Sequence, residues 1–262
     1  MWCAQVGVHD SIEGDVQDAV ELACTCEGLW GVLWHFMPTS VGSRLLFLRR
    51  APGSFCGPNL DTKAVIIPTP HLINIFEERR CKLTNEQSLK LICALRSRTI
   101  KRTPASWSHE ESMHRHLGMG EVALRIFRGA VEKTIQPSTH ILPSTLAGLK
   151  KADVSNSFYW IPYVANLPGV DSVLGDTNGQ AYIIQATIVY DHKFPIVGIK
   201  KVWQQFREEV RTQRTWHYVV VTETQQAARS YAEEFSDVFL SLELDRALRT
   251  PVQLWGCALY SH

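Results

Sequence analysis

Leu167-Pro168-Gly169-Val170-Asp171 is followed, fourteen residues after its aspartate, by Gln185-Ala186-Thr187 inside the apolar run Tyr182-Ile183-Ile184-Gln185-Ala186-Thr187-Ile188-Val189-Tyr190. A Pro-Gly pair reads as a turn, and a run this rich in Ile, Val and Tyr reads as a strand. On a strand, residues i and i+2 share a face. Gln185 and Thr187 therefore point together, while Ile184, Ala186 and Ile188 fill the opposite side. Asp171 sits one short turn ahead, where it would face them across a hairpin. Such a trio either lines a Mg²⁺ site or is no more than a polar sheet edge.

Working outward, Phe158–Tyr163 reads as a strand, followed by a loop to Asp171 and the strand Gln180–Tyr190. A helix from about 199 to 211, the strand Trp216–Thr222, a helix over 225–234 and a last strand at Val252–Gly256 come next. Upstream, Leu117, Val122, Leu124, Ile126, Phe127 and Val131 give a helical apolar face to residues 110–133. The basic stretch Arg98–Trp107 is the expected linker. Before it lie strands at 43–49 and 63–67 and helices at 10–36, 71–78 and 85–97. The expected order α, β, β, β, α, β is an α/β mixed sheet flanked by helices. It would occupy residues 106–262, behind a small α/β region at 1–105.

Twenty-seven basic and 26 acidic residues leave a formal charge of +1, so any nucleic-acid contact must come from a local patch. Cys3, Cys24, Cys26, Cys56, Cys81, Cys93 and Cys257 include no pair of Cys or His pairs at zinc-finger spacing. They read as reduced core thiols, which points to a reducing compartment. No apolar run has membrane-spanning length, and the N-terminus lacks the pattern of a conventional signal peptide. The abrupt Met1-Trp2-Cys3 start reads as that of a fragment of a longer architecture.

Six short motifs, in order over residues 43–222, resemble the nuclease-like domain of Crinkler and retrotransposon-hot-spot effector proteins. Val41–Leu46 with Ile66–Ile73 is similar to the strand and helix that precede that domain. Gly118-Met119-Gly120-Glu121 resembles the family's Gly-x-x-Glu, and Phe158–Pro162 with Asn166–Val173 resembles its aromatic strand and aspartate turn. Ile184–Ile188 resembles its Gln-x-Thr strand. His192 with Pro195–Ile199, then Tyr218–Thr222, complete the series. The phosphate-cradling Gly-x-x-x-x-Gly-Lys motif found upstream in many members has no counterpart here, and the secretion header is not visible.

The resemblance implies a PD-(D/E)xK restriction-endonuclease-like fold, with Asp171, Gln185, Thr187, Glu121 and His192 as catalytic candidates. Asp171, Glu121 and Gln185 would be the ligands of Mg²⁺ or Mn²⁺. Hard dications take oxygen ligands, usually one or two carboxylates with waters. The amide at Gln185 removes a negative charge from that cage, and Thr187 stands where the superfamily keeps a lysine. Lys193 or His192, just past the strand end, are the available substitutes. Lys200, Lys201 and Arg207, with Arg211 and Arg214, put positive charge on one helix and its exit, and with Lys193 they are the expected contacts to DNA. His109, His114 and His116 read as solvated, because His-Arg-His does not share one helix face.

Three functions stay open on these residues. One is a metal-dependent DNA endonuclease acting inside a cell, in the nucleus of a host if the chain is secreted. Another is a catalytically silent nuclease-fold module that binds nucleic acid or a protein. The third is a structural or regulatory piece of a larger ATPase-linked protein.

Overall fold

The computed structural model describes residues 47–50, 63–66, 76–78, 80–97, 104–120, 122–162, 167–188, 195–240, 242–244 and 251–259. The chain divides into two compact units, Met1–Lys101 and Arg102–His262. In the first, strands β1 (Phe47–Arg50) and β2 (Lys63–Ile66) pair antiparallel. Helix α1 (Asn85–Ser97) has the expected bounds. Its start is a reciprocal cap: Gln87 N–H donates to Thr84 Oγ1 at 3.3 Å, and Thr84 N–H donates to Gln87 Oε1 at 3.0 Å. The expected helix over 10–36 lies outside the described residues.

The second unit is α/β: a seven-stranded mixed sheet with helices against it. Helix α2 (Pro104–Gly118) opens with proline, whose missing N–H costs nothing at a first turn. It stops at Gly118, and Gly120 follows at φ +77°. The expected helix over 110–133 is therefore cut short. Residues 124–135 instead form a hairpin, β3 (Leu124–Arg128) with β4 (Val131–Ile135), turned by Gly129 at φ +60° and Ala130. The apolar spacing at 122–131 serves either period. What separates the two is the glycine break before it and the turn residue within it.

A 3₁₀ turn at Leu146–Lys151 leads into the antiparallel meander β5 (Phe158–Trp160), β6 (Ser172–Gly175) and β7 (Gln180–Ala186). Helices α3 (Ile196–Trp203) and α4 (Glu208–Gln213) then cross to β8 (Thr215–Thr222), parallel to β7. Helices α5 (Gln225–Glu234) and α6 (Ser236–Leu240) cross to β9 (Val252–Ala258), parallel to β8. The sheet order is β4-β3-β9-β8-β7-β6-β5. A central strand flanked by parallel neighbours is buried on both faces, and in β8 only Thr215 is exposed.

Pleating sorts the two faces. Ala181, Ile183, Trp216, Tyr218 and Val220 join one core with Ile199, Val202 and Trp203 of α3, Tyr231 of α5 and Phe239 of α6. The alternate residues, Tyr182, His217 and Trp255 among them, lie on the other face. There α2 donates from His109 Nε2–H to the Val221 carbonyl of β8 at 3.1 Å. No helix among the described residues is long and apolar enough to cross a membrane.

Candidate functional site

The Pro168-Gly169 turn is built against the start of α3. Gly169 sits at φ +67°, and a Cβ on it would collide with Pro195. A Cβ on Gly198 would strike the Pro168 carbonyl. With the turn seated there, Asp171 enters the sheet next to the end of β7. Its N–H donates to the Ile184 carbonyl at 2.9 Å, and its Oδ2 accepts from Ala186 N–H at 2.9 Å. The expected pair Asp171 and Gln185–Thr187 is thus joined across the antiparallel β6–β7 ladder, whose register sets Ser172 against Ile184.

Asp171, Gln185 and Thr187 are all buried, 4–6% exposed. Gln185 shares its face with the helix-covered core, where Tyr218 of β8 meets it. The Tyr218 hydroxyl donates to the Gly169 carbonyl at 2.8 Å and also contacts Gln185 Oε1. One phenol proton cannot serve two acceptors at full strength. The Gly169 carbonyl and Gln185 Oε1 share that proton. Burial pushes the Tyr218 phenol well above its usual range, with Tyr231 and the Asp171 carboxylate adding to the effect. Tyr218 therefore stays a neutral hydroxyl that ties turn, strand and amide together. Thr187 continues β7, donating its N–H to the Val221 carbonyl at 2.8 Å.

Beyond the strand ends, Thr187, Thr222, Glu223 and Tyr231 border a cavity of about 70 Å³ beside the start of α5. Thr224 caps that helix, its hydroxyl accepting from Ala227 N–H at 3.2 Å. Glu121, His192 and Lys193 lie outside the described residues. Among the described residues, no three His, Cys, Asp or Glu side chains gather as a metal would need.

The basic residues separate into different environments. Lys200 and Lys201 are exposed on the last turn of α3. Arg207 is exposed but donates to the Ala152 carbonyl at 3.0 Å and stands 3.7 Å from Glu209. Arg211 lies over the Trp203 ring at 4.7 Å. Arg214 is 3% exposed, and its guanidinium donates to the carbonyls of Asp153, Val154, Asn156, Asp176 and Gln180. Burial lowers its pKa, against the pull of Asp176 and Asp153. The expected single basic helix is two helices, and its last cation is an internal clamp.

The histidines of α2 are not a solvated group either. His109 and His114 are buried. His114 lies between Glu110 Oε1, 3.3 Å from its Nε2, and the Tyr159 hydroxyl, 2.7 Å from its Nδ1. His116 Nδ1–H donates to the Ser112 carbonyl at 2.8 Å, so the three rings have three separate sets of partners. Each is explained by local packing rather than by a common ligand.

His217, which no sequence motif singles out, is fully buried on the opposite face. Trp255 Nε1–H donates to its Nδ1 at 3.0 Å, and an indole can only donate. His217 is therefore protonated on Nε2, which donates to Gln180 Oε1 at 2.7 Å. Tyr182 stacks on the ring at 4.9 Å. Burial, helped by Lys133 and Arg128, pulls His217 down to about 4. No family model matches the chain, and neither a curated protein nor a solved structure does.

Proposed function

We propose that residues 102–262 form a restriction-endonuclease-like module of the Crinkler type that binds nucleic acid without cutting it. The observation that carries this is the state of Gln185: its buried amide is held by the Tyr218 hydroxyl. Asp171, the carboxylate beside Gln185, already accepts from the Ala186 backbone. A corner with one engaged carboxylate, an amide and a hydroxyl is a poor fit to Mg²⁺, which favours charged oxygen ligands. Thr187 brings no positive charge for a developing oxyanion, and losing one such stabiliser typically costs about 10²–10³ in rate. For binding, support comes from Lys200 and Lys201, which leave α3 exposed.

Supercoiled plasmid with Mg²⁺ or Mn²⁺ tests the reading. Wild type is expected to leave it intact, while Gln185→Glu combined with Thr187→Lys gains nicking that Asp171→Ala abolishes. Wild-type nicking that Asp171→Ala removes would establish the metal-dependent endonuclease instead. In parallel, fluorescence anisotropy should show wild-type protein binding unrelated duplexes with similar affinity, because phosphate contacts carry little sequence information. Absence of such binding would overturn the module's nucleic-acid role.

A further inference from the structure

The β3–β4 ribbon carries a pair of cations whose placement goes beyond the corner described above. β3 pairs with β9 so that Ile126 faces Cys257, and the same register brings Arg128 opposite Trp255. Lys133 pairs with Ile126, so it is the diagonal neighbour of Arg128 on that face. Both reach the same indole: Arg128 Cζ is 5.1 Å and Lys133 Nζ 5.0 Å from the Trp255 ring centre. The ring is itself fixed, fully buried and hydrogen-bonded to His217.

Arg128 and Lys133 are both exposed, and among the described residues neither forms an ion pair. Two like charges on one ring repel each other, and each cation–π contact offsets only about 0.5–1 kcal/mol. The arrangement gathers two positive charges over one ring, and among the described residues neither has an acidic side chain paired with it. β4 is the edge strand of the sheet and four of its five residues are exposed, while β3 beside it packs into the core through Leu124, Ile126 and Phe127.

The geometry points to Arg128 and Lys133, mounted on Trp255, as a docking site for the phosphodiester backbone of duplex nucleic acid. Because β4 is the edge strand, the exposed charges there are open to a duplex laid along the sheet edge, where phosphate contacts need no entry into a groove. Two cations gathered over one buried ring also suit the closely and regularly spaced phosphates of a duplex better than carboxylates on a flexible acidic peptide. This rests on the nucleic-acid reading proposed above and names a surface for it separate from Lys200 and Lys201.

The test compares wild type, Arg128→Gln/Lys133→Gln and Lys200→Gln/Lys201→Gln by anisotropy on a random-sequence duplex across a salt series. The ribbon variant should flatten the logarithmic salt slope by about 1.8 and weaken binding at least roughly tenfold at 0.1 M salt, from about 0.9 per contact. An independent readout is the imidazole NMR signal of His217, whose titration the two cations depress. Duplex should move that titration upward in wild type and leave it unmoved in the ribbon variant. If the ribbon variant binds like wild type while the α3 variant loses binding, the docking site is overturned and the nucleic-acid reading stands. Polyglutamate bound as tightly as the duplex at matched charge would overturn the phosphodiester assignment. If wild type binds no duplex, both readings fall together.

Discussion

Two polar clusters lie on opposite faces of the same sheet, and they are closed in different ways. The Asp171–Gln185–Tyr218 corner is closed inward: carboxylate, amide and phenol are matched to one another or to backbone under α3 and α5. The His217–Trp255 stack is closed only at its base, where imidazole and indole satisfy each other, and Arg128 and Lys133 carry exposed charge above it. A buried polar group needs a partner or it costs stability. An exposed cation has no such requirement and is available to a ligand. Residues that look chemical in a sequence can thus be internal fasteners, while charges that look unremarkable can be arranged for contact.

The sharpest check on that contrast concerns a cation that is closed inward. Arg214→Met removes the guanidinium from five backbone carbonyls, of which Gln180 keeps the Asp176 N–H, and should destabilise the second unit by at least about 3 kcal/mol, since each buried acceptor left short of a donor costs about 1–3 kcal/mol. Urea unfolding with a midpoint within error of wild type would show that those carbonyls find other donors.

Next comes the stack. His217 is held at about 4, below its ordinary 6.5, so the unfolded chain takes up the proton first as pH falls. The stability conferred by the neutral ring is present above pH 6.5 and lost progressively toward pH 4, by about 3 kcal/mol from the size of the shift. Between pH 6.5 and 5, before most carboxylates titrate, His217→Gln should show a shallower fall than wild type. Equal slopes would mean that the ring is not the group titrating.

The corner is predicted to be a fastener of intermediate strength. Tyr218→Phe leaves the Gly169 carbonyl and Gln185 amide without their hydroxyl, which should cost about 1–3 kcal/mol. An unchanged unfolding midpoint would contradict an inward-closed network. The smallest effect belongs to the exposed pair: Arg128→Gln/Lys133→Gln should shift stability by no more than about 0.5 kcal/mol, since lost cation–π contact and relieved repulsion oppose each other. A large loss would make those cations structural and weaken their assignment to a ligand.

Several elements could be read directly. The Thr84-x-x-Gln87 cap and the spacing behind it define α1, and the Ile-rich and Val-rich runs define β7 and β8. The turn at Pro168-Gly169 and the approach of Asp171 to β7 were legible too, because a Pro-Gly turn and a period-two strand are local signals. The hairpin at 124–135 was missed because a short apolar series fits both a helix and a strand, and Gly118 and Gly120 were read only as part of a motif. The buried histidines of α2 were missed because the partners of His109 and His114 lie on β8 and β5, far along the chain.

What the sequence determined by itself was the turn at Pro168-Gly169, the runs of α1, β7 and β8, and that its class is α/β with a mixed sheet. Those properties follow from φ/ψ preference and from apolar periodicity within a dozen or so residues. Only the tertiary structure decided which polar groups close on each other. Strand order sets β9 between β3 and β8, and so brings Trp255 beside both His217 and Arg128. No local pattern encodes that adjacency, because it arises from crossovers that bring the two ends of the second unit into one sheet.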